Sequence, residues 1–308
     1  MITQHEPPMP TQRNAEHSCI KGDGTLIAHA ASLLIRGEII MIENGPVFAL
    51  AGDANNPQMQ AMVGLIKKDR SPTQPLGWIT PFNNALQAFD LSDVKDRALK
   101  NFLVDPDAMT TTLGALAFIR AKANQRYKKQ HGVPDALIPP QIDVTEPTMV
   151  QLFSPTTNDR CSRLVRYATA HGVRVSMTSA NYHNRKEIVD FNEAQEFAKQ
   201  EGNMFFLPQY DASSKPARPM GSYPVFKVLP DKLKLIRFGF LEPTLWNSIL
   251  KDLPLDLSPG LTKQEPNYPA NVLRAQDLPE EDRTKTGREM HDAIIQTIMR
   301  TKSATVQY

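Results

Sequence analysis

The stretch Leu65-Ile66-Lys67-Lys68-Asp69-Arg70-Ser71-Pro72-Thr73-Gln74-Pro75-Leu76 sets the terms on which this chain can fold. Asn56-Pro57 opens a run whose spacing predicts a helix over 58–67, apolar along one side. Three cations end it, and then two prolines force the chain to be extended. Gly77-Trp78-Ile79-Thr80 follows as a predicted strand. Lys68 and Arg70 lie two apart, so they reach one point only where the helix has already stopped. An ammonium and a guanidinium fork converging there suit an anion, phosphate above all. The ordinary alternative is a solvated helix end, where cations also favour the helix dipole.

A second stretch bears on that choice. Val173-Arg174-Val175-Ser176-Met177-Thr178-Ser179-Ala180-Asn181 reads as a strand running into small hydroxyl and amide residues. Such side chains at a strand end hold a ligand by hydrogen bonds and leave room for it.

The rest of the chain alternates helix and strand patterns. Residues 1–22, with clustered prolines, are expected to be a flexible arm, and helical spacing predicts a helix over 25–36. A short strand at 38–42 leads to the turn signals of Glu43-Asn44-Gly45-Pro46. Helices are expected over 93–102, 159–171 and 191–200, and strands near 149–153 and 204–207. A hairpin is expected over 223–228 and 232–238, and a final helix over 281–299. A charged helix is expected over 114–130, carrying Arg120, Lys122, Arg126, Lys128 and Lys129. Charge runs are ordinarily solvated faces. The functional alternative is a phosphate-tracking surface for RNA, together with Arg160, Arg163 and Arg166 on the outer side of the 159–171 helix. Strands alternating with helices argue an α/β or α+β sheet domain.

Composition limits the remaining classes. Hydrophobic residues make up 41% of 308 positions, enough for a sizeable core, and the net charge of +2 does not by itself argue for nucleic acid. The polar start MITQHEPPMPTQRNAEH does not read as a signal peptide, and no apolar run reaches membrane-spanning length. Cys19 and Cys161 lie far apart, and neither they nor the seven histidines have metal-ligand spacing. The expectation is a cytoplasmic protein without a structural metal.

Lys-x-Arg at a helix end, with Thr178-Ser179-Ala180-Asn181 after a later strand, resembles the YrdC-like family. That family includes the threonylcarbamoyl-adenylate synthases of tRNA modification. The segment GEIIMIENGPVFALAGDA at 37–54 is similar to its opening strand, loop and helix start. Gly221-Ser222 and Leu235-Ile236-Arg237-Phe238-Gly239 are similar to its closing strands. The resemblance covers about 23–240, leaving 241–308 as a mostly helical C-terminal extension.

The resemblance implies a twisted sheet flanked by helices, with ATP as substrate and Mg²⁺ shielding its phosphates. It implies that Lys68 and Arg70 are the catalytic cations and that Thr178, Ser179, Asn181, Ser222 and Arg237 bind the nucleotide. A carbamate formed from an amine and bicarbonate is already anionic, so positioning and charge stabilisation would carry the reaction without an obligatory base. Glu43, Asn44 and Phe48 would line the acceptor pocket. Here the chain departs from the family, which usually has Pro-Thr-Asp-Thr before Val-Tyr-Gly-Leu where this chain has Glu43-Asn44-Gly45-Pro46 before Val47-Phe48-Ala49-Leu50. His183-Asn184 also replaces the usual Ser-Gly, and a loop histidine beside a site is more often passive than catalytic. Three readings follow: a threonylcarbamoyl-adenylate synthase-type enzyme, a carbamoyltransferase with another acceptor, or a non-catalytic paralogue with a nucleotide- or RNA-binding groove.

Overall fold

From its amino side the chain lays helix α1 (Asp23–Ile35) beside a hairpin of β1 (Ile40–Asn44) and β2 (Val47–Asp53). The computed structural model describes residues 23–45, 47–67, 74–141, 147–156, 159–182, 185, 187–188, 190–209, 222–258 and 272–303, with side chains to 298. Gly45 turns the hairpin with φ of 56°, a left-handed value that glycine adopts without a Cβ penalty. β2 is where 37–54 departs from expectation: 47–54 is not a helix start. Val47-Phe48-Ala49-Leu50-Ala51 is apolar at every position, the pattern of a strand buried on both faces, and all five residues are buried.

α2 (Pro57–Ile66) starts on an Asn56 cap whose side chain accepts from the Gln58 amide, with Pro57 in the first turn, and stops at Lys67. β3 (Gly77–Ile79), α3 (Arg97–Val104) and α4 (Pro106–Thr110) follow. The expected helix over 114–130 is instead strand β4 (Phe118–Lys122) and a short helix α5 (Gln125–His131). Arginine and lysine favour helix locally, but β4 is held by pairing with strands far along the chain. β5 (Met149–Phe153), α6 (Arg160–Ala170), β6 (Val175–Ser179), α7 (Phe191–Gln200) and β7 (Phe206–Leu207) come next. Then follow β8 (Val225–Val228), β9 (Leu233–Arg237), α8 (Pro243–Ile249), β10 (Leu255–Asp256) and α9 (Gly287–Ser303).

The strands form one mixed sheet in the order β10-β9-β8-β4-β5-β3-β6-β2-β1-β7. Class and architecture are those expected, an α/β fold with a twisted mixed sheet and flanking helices. The main apolar cluster runs from α1 through the sheet to α8 and α9, so residues beyond 240 share it. The Trp246 ring of α8 meets Phe226 of β8 edge-on, with centroids 4.9 Å apart. A smaller cluster of Met41, Phe48, Leu50, Ile66, Ala180 and Phe197 lies with α7 and the end of α2. Full burial of each large side chain contributes about 1.5–3 kcal/mol before chain entropy is charged against it. Among the described residues no helix is long and apolar enough to cross a membrane.

Candidate functional site

Where β6 ends, its hydroxyl and amide residues meet the end of α2. Lys67 caps that helix through its amide to the Val63 carbonyl, while its side chain turns into the protein and is only 6% exposed. The Lys67 Nζ donates to Ser179 Oγ at 3.2 Å and to Asn181 Oδ1 at 2.5 Å. Ser179 Oγ also donates to Asn181 Oδ1, at 2.6 Å, and Asn181 Nδ2 donates to the Arg185 carbonyl at 2.6 Å. This network fixes the amide's orientation and presents a buried ammonium beside a hydroxyl. Thr178 precedes it, half-buried on the strand. Lys68, Arg70, His183 and Asn184 lie outside the described residues. The described cation of the basic run is therefore Lys67, which sequence reasoning passed over. The signal was there: Lys67 directly follows Ile66 on the apolar side of the predicted helix, so at the helix end its side chain can fold inward.

Arg237 lies at the other side of the sheet, on β9. Its Nε donates to the Tyr223 carbonyl at 3.0 Å, and it neighbours Arg120 of β4. Burial pushes the Arg120 guanidinium down from 12.5 to about 10, and the charge of Arg237 adds to this. Arg120 is held by the buried Gln151 side-chain oxygen, at 3.0 Å from Nε and 2.5 Å from Nη2. Ser222 is buried, and its carbonyl accepts from the Phe240 amide at 2.9 Å. Gly239 passes so close that a Cβ there would meet Pro224 and Ser222, which explains a glycine at that position.

The hairpin residues divide between polar contacts and the core. A carboxylate oxygen of Glu43 accepts from the Gln209 amide at 2.7 Å. Asn44 Oδ1 lies 3.5 Å from the Cys161 thiol, and its carbonyl accepts from Tyr223 Oη at 3.3 Å. The Cys161 amide donates to Gln209 Oε1 at 3.4 Å, while Gln209 Nε2 is buried without a partner among the described residues. Burial raises the Cys161 thiol well above its usual range, so it is protonated and not a nucleophile in this state. Phe48, expected in the acceptor pocket, is a core residue of the smaller cluster, its ring 5.6 Å from that of Phe206.

Two expected basic surfaces are altered. Arg160, expected to face outward, is 9% exposed; its Nη2 lies 2.6 Å from Asp23 Oδ1 and its Nη1 donates to the Pro208 carbonyl at 3.0 Å. On β4, Lys122 pairs with Asp90 at 3.1 Å and Asp93 at 2.8 Å, and on α5 Lys128 pairs with Asp135 at 2.7 Å. Among the described residues no group of three His, Cys, Asp or Glu side chains that could hold a metal ion is present.

Comparison with solved structures places the fold. The chain superimposes on the crystal structure of P. abyssi Sua5 complexed with L-threonine with a TM-score of 0.54 at 12% identity, covering 78% of this chain and 65% of that one. A doubly substituted variant of P. abyssi Sua5 gives 0.54 at 12% identity over 76% of this chain and 62% of that chain. E. coli YciO gives 0.51 at 13% identity over 70% of this chain and 89% of that chain. The chain has the YrdC-like fold. It spans somewhat under two thirds of the length of the Sua5 chains it matches. No family profile matches the sequence, and no curated protein does. At this identity the likeness speaks for the fold, and activity has to be argued from the site.

Proposed function

We propose that this protein binds an adenine nucleotide and forms a carbamoyl-adenylate, in the manner of a threonylcarbamoyl-adenylate synthase with an altered acceptor. The observation that carries this reading is the buried Lys67–Ser179–Asn181 network at the end of β6. An ammonium, a hydroxyl and an amide gathered at one strand end can share the several acceptor oxygens of a phosphate. Ser179 and Asn181 supply a hydroxyl and an oriented amide for the same ligand, with Thr178 just before them on β6; Ser222 and, from β9, Arg237 are assigned to the nucleotide on the family resemblance alone. Lys68 and Arg70 join as the cations of the adjoining run. Transfer at the α-phosphate then rests on placing these charges where negative charge develops. A Mg²⁺ ion would enter with the phosphates of ATP, as part of the substrate. The reading carries with it a cytoplasmic place in tRNA modification.

The acceptor end differs from what threonine needs. Glu43 accepts from the Gln209 backbone, and Phe48 lies in the core. The buried donor Gln209 Nε2 favours an acceptor that brings a carbonyl or carboxylate oxygen. We therefore expect L-threonine to be a poor substrate, since each unpaired polar group on burial costs about 1–3 kcal/mol. The test is pyrophosphate release from ATP and bicarbonate with a panel of amino acids and amides. Release that depends on one acceptor and is lost in Lys67→Met supports the proposal. AMP binding with no release for any acceptor would point to the non-catalytic reading, and no nucleotide binding at all would overturn both.

A further inference from the structure

Strands β4, β8 and β9 carry a row of cations of which the nucleotide reading uses only Arg237. Arg120 stands in register with Lys227, and Lys227 with Lys234, so three basic residues line up across three neighbouring strands. Direct partners in a sheet share a face and lie about 5 Å apart, where like charges destabilise. Arg237 pairs with Val225 across a register shift in the β8–β9 ladder, and its charge acts on Arg120, which sets it beside this row. The opposite face of this hairpin is the apolar one, with Phe226 packed under Trp246.

Compensating acids stand at both flanks and not at the centre. Lys122, two residues along β4 from Arg120, has Asp90 and Asp93. At the outer edge Asp256 lies in register with Lys234, with its carboxylate 3.4 Å from Lys232. Among the described residues no carboxylate lies within ion-pair distance of Arg120, Lys227 or Arg237. Gln151 takes Nε and Nη2 of Arg120, and the Tyr223 carbonyl takes Nε of Arg237. That leaves Nη1 of the first and both Nη of the second without protein partners among the described residues. Withdrawn cations are ordinarily paired, because an unpaired one loses hydration without recompense. Burial lowers the Arg120 guanidinium to about 10, so it stays charged at neutral pH and the repulsion persists.

We propose that Arg120, Lys227 and Arg237, with Lys234 at the rim, bind a small multiply charged oxyanion of the phosphate or carboxylate class. Bidentate guanidinium donors suit the planar or tetrahedral oxygens of either. A compact anion fits better than an RNA backbone, because Arg120 and Lys227 are half-buried, whereas a phosphate-tracking surface uses extended, exposed side chains. The site deepens the reading of Arg237 as phosphate-facing, and probes without a nucleoside let the two proposals fail separately.

The test is calorimetric titration of the full chain with inorganic pyrophosphate, inorganic phosphate and citrate, followed by AMP. Saturable binding of at least one of the three anions is expected, weakened tenfold or more in both Arg120→Met and Lys227→Met. The exposed control Lys251→Met should stay within twofold. Tighter binding of pyrophosphate than citrate assigns the phosphate source, and the reverse order assigns a carboxylate. Anion binding without AMP binding would sink the nucleotide reading and leave this site standing. The proposal is overturned if none of the three anions binds saturably, if both variants bind as the wild type does, or if only RNA binds. A thermal melt of each variant checks that it is folded, and Lys227→Met, at a half-exposed position, provides the reading if Arg120→Met does not fold.

Discussion

Two arginines drawn out of water on the same sheet protein have opposite surroundings. Arg160, on α6, meets the Asp23 carboxylate and the Pro208 carbonyl, so its charge and its donors are answered within the fold. Arg120, on β4, meets a neutral amide and a second guanidinium. The difference separates structural charge from charge held for something else. A paired, buried arginine ties elements together, here α1 to α6 and the segment after β7. An arginine that folding leaves beside another cation costs stability, and such a cost persists where a ligand offsets it.

The contrast can be broken by experiment. The largest effect expected is from Asp23→Asn, which strips the partner from Arg160. We expect a loss of about 2–3 kcal/mol in denaturant unfolding, short of the full penalty for a buried pair because the Asp23 carboxylate is itself half-exposed. A loss below a few tenths would mean that Arg160 is hydrated and the contrast is false. Next comes Lys67→Met, which removes one charge-assisted contact to a bound phosphate and should weaken AMP binding by about 1.5–3 kcal/mol. Calorimetry measures it, and unchanged affinity would remove Lys67 from the nucleotide site.

Arg120→Met carries the opposite sign from Asp23→Asn. With no anion bound it should raise stability by about 1 kcal/mol, because a desolvated charge beside Arg237 is exchanged for an apolar chain. A destabilised variant would show that Arg120 is paired in solution after all. The smallest effect concerns RNA. With Arg160 buried, Arg163 paired to Asp23, and Lys122 and Lys128 paired to carboxylates, the remaining cations, Arg126 and Lys129 among them, give a weak phosphate surface. Filter binding should show RNA retained only at low salt and released as salt rises. Tight binding that survives physiological salt would restore the basic helices as a true interface.

Local sequence carried far in some places. The strand at 149–153 and the helix at 191–200 lie where period and capping predict them, with Asp190 capping the helix through the Asn192 and Glu193 amides. The end of the helix near Lys67 was legible, as was the strand leading into Thr178 and Ser179. The reading of 114–130 as helix failed because residues 118–122 carry helix-favouring types, while their strand state is decided by β5 and β8. The same limit hid Lys67: its neighbours in sequence are cations that read as a solvated run, and only the approach of β6 offers it Ser179 and Asn181.

What the sequence determined by itself was therefore whatever is set within a few residues: helix ends, turns, apolar strands and the small polar residues that follow one of them. Which charges are satisfied was decided only by tertiary structure. Arg160 finds Asp23 and Arg120 finds Arg237 across long separations in the chain. Coulomb energy and desolvation depend on distance and burial, and neither is a property of sequence neighbours.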